Sequence, residues 1–126
     1  MVGIGRYPAT TRGRRGDIHL VAFEDIGGAT LQGPHPAVGV QTDRMARSST
    51  VLVCPMSTRS GRRPDVVPPY LAWVTRHESG LDRDGWVKVD QIYTRPVELL
   101  GARLGRLNPE ALARVDASLR FVLGLA

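Results

Sequence analysis

The sequence predicts a mainly β domain, a small barrel with a C-terminal amphipathic α-helix appended. Three features carry this: short runs of alternating or β-branched apolar residues, glycine- and proline-rich turns between them, and one capped stretch of helical periodicity after Asn108. At 126 residues and 42% hydrophobic, the chain has single-domain size. It is long enough to build a core without staples or metal. Cys54 is the only cysteine, which excludes an intrachain disulfide framework and a multi-cysteine zinc site. Uninterrupted apolar stretches reach about six residues, far short of the roughly 20 that span a bilayer. The first twenty residues lack an apolar h-region, so neither a membrane span nor a secretory signal is expected and the cytoplasm is the default compartment.

The elements follow in order. MVGIGRYPATTRGRR, residues 1–15, has no period of 2 or 3.6 and reads as a flexible basic arm, with the folded domain over 16–126. DIHLVAFED alternates Ile18, Leu20 and Ala22 against His19, Val21 and Phe23, as a strand does. IGGATLQGPHP reads as a loop, PAVGVQT as a short apolar run and DRMARSS as a turn. TVLVCPM reads as a central strand ending at Pro55, and STRSGRRP as a basic loop. DVVP reads as a possible strand, PYLAWV as an edge strand or pocket wall, and HESGLDRDG as a turn region. WVKVDQIYT alternates along its whole length and reads as one strand, with GARLGRL as the last. The helix starts at the N-cap Asn108, with Pro109 and Glu110 in its first turn, and stops at Gly124. Leu112, Val115, Leu119, Val122 and Leu123 form its apolar stripe.

The formal net charge of +5 is unevenly spread. Arg6, Arg12, Arg14 and Arg15 lie in the arm without an acid, leaving 13 cations against 12 acids in the body. A second concentration runs from Asp43 to Arg63, where Arg44, Arg47, Arg59, Arg62 and Arg63 face one acid. Clusters of this kind suit phosphate contacts that are salt-dependent and blind to sequence.

Three stretches together resemble the MazF/PemK (Kid) family of toxin endoribonucleases. They are RGDIHLVAFED at its opening strand, CPMST at a strand end, and GLDRDGWVKVDQIYT followed by LGRLNPEALARVDASLRFVLGL at its finish. The similarity spans roughly residues 15–125 and implies an SH3-like barrel, a homodimer and an antitoxin partner with an acidic C-terminal segment. It also implies cofactor-free, metal-independent cleavage of single-stranded RNA at short sequences, leaving a 2′,3′-cyclic phosphate. The family usually has an arginine where this chain has His35, and an asparagine where it has Ala46.

Such cleavage needs a base for the 2′-hydroxyl and groups that hold the phosphorane's charge. His35 is a candidate base, since an imidazole exchanges protons near neutral pH. Ser57, with Thr58 beside it, can hydrogen-bond a phosphate oxygen. Lys88 and Asp90 match a catalytic Arg-x-Asp of the Kid branch, with Asp90 as a rival base and Lys88 as the charge-stabilising cation. Arg44, Arg47, Arg59, Arg62, Arg63 and Gln91 are the candidate RNA contacts, and Tyr70 and Trp73 are possible stacking platforms. His19 and His77 lack metal-ligand spacing. Two other readings stay open from sequence: a module that binds RNA or antitoxin with little cleavage because His35 replaces the arginine, and a gyrase poison on the same fold.

Overall fold

Strand β3 (Thr50–Thr58) is the spine of the molecule, because its nine residues pair with three other strands. The chain is seen here in a computed structural model that describes residues 13–58 and 63–125. Along one side of β3, Val53–Pro55 pair with β2 (Gly33–Gly39). Along the other, Thr50–Val53 pair with β6 (Tyr93–Pro96) and Met56–Thr58 pair with β5 (Gly85–Lys88). β2 pairs with β1 (Asp17–Phe23), β1 with β7 (Arg103–Arg106), and β5 with β4 (Leu71–Val74). Every pairing is antiparallel, in the order β4-β5-β3-β2-β1-β7 with β6 alongside β3.

The expected mainly β architecture with a terminal helix is present, but the hydrogen-bonded sheet does not close. Its two ends, β4 and β7, are covered by helices instead of by each other. At β7, Gly105 lies so close to the four-residue helix α1 (Arg76–Ser79) that a β-carbon there would stand 2.2 Å from the Ser79 carbonyl oxygen. At β4, the Leu71 and Trp73 carbonyls accept from Ser118 Oγ at 3.3 Å and Arg114 Nε at 3.2 Å. Both side chains come from the C-terminal helix α2 (Pro109–Leu123). Edges satisfied in this way no longer invite a further strand.

Each face of the sheet has its own core. Ile18, Val38, Cys54, Met56, Val87 and Val89 pack with Ala111 and Val115 of α2. On the other face Val21, Phe23, Ala37, Val53 and Leu100 form a second cluster with Val51 and Tyr93. α2 is capped as its sequence dictates: Asn108 Oδ1 accepts the Ala111 N–H at 2.9 Å, and Gly124 takes a left-handed φ of 71°. Its stripe is shifted, however, because Ala111, Val115 and Ser118 are the buried residues while Leu123 is 55% exposed.

Four other sequence expectations change. His35 belongs to β2, opposite Val21, and not to a loop. Leu20, opposite Pro36, bonds through its own N–H and C=O to Ala102 and Gly101 on the far side of β1. The Pro36 nitrogen therefore faces away from β1, where β2 is not yet paired to β3, and a missing N–H costs nothing. The stretch 86–93 is not one strand: the Gln91 N–H bonds to the Lys88 carbonyl at 3.0 Å and a turn separates β5 from β6. DVVP forms no strand, consistent with Pro68 at its end, Pro69 after it and a Val66 that is 78% exposed. The start of the expected turn region forms α1, RHES capped by Gly80, held by a capping box in which Thr75 and Glu78 satisfy each other's backbone N–H groups.

The expected arm also shortens. Arg14 N–H donates to Asp17 Oδ2, Arg15 N–H to Asp43 Oδ1, and Arg15 Nε to the Val40 carbonyl. Residues 13–15 thus join the folded domain, while residues 1–12 lie outside the described residues.

Candidate RNA-cleavage site

The strand registers assemble three of the candidate residues on one face. Ala37 pairs with Pro55 and Ser57 pairs with Trp86. Alternation then puts His35, two residues before Ala37, on the same face as Ser57, Trp86 and Lys88. Met56 and Thr58 point to the opposite face, so of the two adjacent hydroxyls only that of Ser57 shares the side of His35. β2 and β3 part beyond the Ala37–Pro55 pair, leaving His35 and Ser57 on diverging strand ends. All three residues are half-buried. Diagonal neighbours on adjacent strands lie about 7–8 Å apart, close enough for Lys88 and Ser57 to contact one phosphate.

The ring of His35 is oriented by the backbone. Its Nε2 lies 2.9 Å from the Gln32 carbonyl oxygen. A carbonyl can only accept, so Nε2 carries a hydrogen, and in the neutral ring the lone pair is then on Nδ1. Gly33, with a left-handed φ of 83°, makes the turn that brings this carbonyl to the ring.

Beside these residues, on the same face, lies a cluster that sequence reasoning missed. Phe23 and Tyr93 meet edge to face at 4.9 Å, and the Arg95 guanidinium lies 5.3 Å and 4.9 Å from their ring centroids. Arg95 also bonds both Glu24 oxygens, at 3.1 and 3.3 Å. Such a stack holds the loop after β1 against β6. Its two halves, Phe23 with Glu24 and Tyr93 with Arg95, are far apart in sequence, so only the tertiary fold reveals it.

Other candidates lie elsewhere. Asp90 is exposed in the turn after β5, not two residues further along a strand from Lys88. The ion pairs among the described residues include none between Lys88 and Asp90. Arg44 and Arg47 sit on the β2–β3 connection, at the end of the hairpin opposite Ser57. Seven residues of β3 separate that end from Ser57, about 23 Å at strand rise. Arg63 is exposed, and Arg59 and Arg62 lie outside the described residues. Gln91 Oε1 is occupied by the Leu31 N–H at 3.0 Å. Trp73 and Trp86 pack edge to face at 5.1 Å and are buried, so Trp73 is no open stacking platform, whereas Tyr70 is 42% exposed.

Two buried titratable groups, His19 and Cys54, belong to the packed interior. Burial lowers the pKa of His19, against the opposing pull of Asp17. Cys54 is fully buried and its thiol is pushed up to about 12, by desolvation first and by Asp90 second. Among the described residues, no group of three His, Cys, Asp or Glu is placed to hold a metal ion, and no helix is long and apolar enough to cross a membrane.

Comparison with known proteins bears on the family and the fold. Residues 14–123 match the model of the PemK-like, MazF-like toxins of type II toxin–antitoxin systems. A probable endoribonuclease MazF of Mycolicibacterium smegmatis is 31% identical over 116 residues, covering 90% of this chain and 98% of that protein. A mycobacterial endoribonuclease solved with its cognate antitoxin superposes with a TM-score of 0.67 at 23% identity, over 90% of this chain and 97% of the other. MazF from Deinococcus radiodurans gives a TM-score of 0.68 at 19% identity, over 89% and 96% of the two chains.

Proposed function

We infer, from the fact that this chain belongs to the PemK-like, MazF-like toxin family of type II toxin–antitoxin systems, that it is an endoribonuclease toxin that cleaves single-stranded RNA. The observation that supports the site is the common face shared by His35, Ser57 and Lys88 on three adjacent strands. His35 Nδ1 takes the proton of the 2′-hydroxyl, whose oxygen attacks the adjacent phosphorus. Ser57 and Lys88 hold the non-bridging oxygens as negative charge builds on the phosphorane. The 5′-oxygen then leaves and is protonated, giving a 2′,3′-cyclic phosphate and a 5′-hydroxyl. The nucleophile belongs to the substrate, so the reaction needs no metal-bound water, and DNA is bound without being cut. Asp90 takes no part in proton transfer.

Arg59, Arg62 and Arg63 contact the phosphate backbone, while Arg44 and Arg47 act at a distance from the site. The toxin works in the cytoplasm as a homodimer, and the acidic C-terminal segment of an antitoxin silences it by covering the RNA face. A mycobacterial relative of the same fold was solved with its antitoxin, which supports that partner. The test is substitution: His35→Ala and Ser57→Ala each lower kcat on a single-stranded RNA by at least about 100-fold, the scale of losing a base or a charge-stabilising donor. RNA affinity stays within about threefold, since neither residue supplies the counterion-releasing contacts. Loss of affinity with kcat intact assigns these residues to binding instead.

A further inference from the structure

Gln91 bonds to a loop 60 residues earlier in the chain. Its Oε1 accepts the Leu31 N–H at 3.0 Å, and one residue later the Gln32 carbonyl accepts His35 Nε2–H at 2.9 Å. The other end of the same loop is fixed by Glu24 on Arg95. Between the anchors the loop turns on Gly27 and Gly28, both at positive φ, with Ile26 61% exposed. Asp25 Oδ1 accepts the Gly27 N–H and Thr30 Oγ1 donates to the Gly27 carbonyl, so its remaining side-chain hydrogen bonds are local. The carbonyl that selects the His35 tautomer therefore lies between two anchors, the Gly33–Phe23 strand pair on one side and the Gln91 side chain on the other.

We propose that Gln91 is a positioning residue: by holding Leu31 it fixes the Gln32 carbonyl, which keeps the His35 hydrogen on Nε2 and the Nδ1 lone pair available to the substrate. This goes beyond a direct RNA contact and rests, for its catalytic consequence, on His35 being the base. The logic is that of any imidazole whose working nitrogen is decided by what the other nitrogen bonds. Without the tie, the Gln32 carbonyl is held only from the Gly33 side, the peptide turns more freely and water competes for both ring nitrogens. The protein then samples the wrong tautomer, which lowers turnover without weakening the grip on RNA.

The experiment compares the full chain with Gln91→Met, which keeps the length but not the acceptor, and Gln91→Glu, which keeps an acceptor. Imidazole nitrogen chemical shifts report the His35 tautomer and amide hydrogen exchange reports Leu31, both without any RNA. Gln91→Met is expected to speed Leu31 exchange, convert His35 from one tautomer to a mixture, and lower kcat about three- to tenfold with KM nearly unchanged, as loss of one hydrogen bond implies. Gln91→Glu restores slow exchange, the single tautomer and most of kcat; its added charge near RNA is read separately in KM. An unchanged tautomer in Gln91→Met overturns the proposal, whether or not Leu31 exchange rises. So does a defect confined to KM, which makes Gln91 an RNA contact. If the wild-type protein leaves RNA intact, the endoribonuclease reading fails, and the nitrogen shifts and exchange rates still decide whether Gln91 orients His35.

Discussion

Gly85 runs so close to Ser57 that a β-carbon at position 85 would stand 2.6 Å from the Ser57 carbonyl oxygen and 3.0 Å from the Thr58 α-carbon. Both near atoms are backbone, so an added methyl group must displace the strand end that carries the Ser57 hydroxyl. Gly85→Ala is expected to cost about 1–3 kcal/mol in urea unfolding, the range for overpacking. At a temperature where the variant is still folded, its RNA cleavage falls further than its unfolded fraction explains.

Arg15 ties the start of the domain to its end. Its guanidinium lies 2.7 Å from Asp116 of α2 and donates to the Val40 carbonyl at 3.0 Å. Arg15→Ala is expected to lower stability by about 1–2 kcal/mol, mostly through the bond to Val40, since partly exposed ion pairs contribute little. Added salt closes only a small part of that gap. A change within experimental error means that residues 13–15 rest on the domain without supporting it.

Acid affects two structural groups. Burial lowers the pKa of His19 below 6.5 in the folded chain. Below that pH the unfolded chain binds the proton first, so His19 withdraws stability as pH falls and restores it as pH rises. Glu78 is depressed below 4.5, first by the Arg114 side chain. Its contribution is complete above 4.5 and disappears as pH falls through the lowered folded value. Melting temperatures are expected to drop in two stages on acidification. His19→Gln flattens the stage that begins near pH 6.5, and Glu78→Gln flattens the one below 4.5.

Cys54 should be inert. A buried thiol held up to about 12 carries almost no thiolate at pH 8. Alkylating reagents are expected to leave the native protein unmodified for hours and to label it promptly in denaturant. Rapid native labelling contradicts the packing of β3 against α2.

The legibility of this chain in its sequence follows the range of the interactions involved. α2 was legible because Asn108, Pro109 and Gly124 act within a turn of where they stand. The β1 and β3 strands were legible because alternation and β-branching are local too. His35 was misplaced because Pro34 and Pro36 mark a loop in isolation. What tolerates them is the absence of a β3 partner at that point, a tertiary fact. The break between Lys88 and Gln91 was hidden by an alternation that continues unchanged through the turn. The Phe23–Tyr93–Arg95 stack and the Gln91–Leu31 bond join segments 60 or more residues apart and leave no local trace. The family resemblance pointed to Ser57, Lys88 and Asp90 together. Register puts the first two on one face and leaves Asp90 in an exposed turn.

The measurement closest to the central claim is a map of RNA ends. The purified chain is incubated with a long defined RNA in EDTA, and the new termini are sequenced and their phosphates identified. Discrete cuts at a short recurring sequence, with 2′,3′-cyclic phosphate and 5′-hydroxyl ends that vanish in His35→Ala, are the expected result. Intact RNA from the folded protein, or cuts that persist undiminished in His35→Ala, contradicts the assignment of His35 as the base.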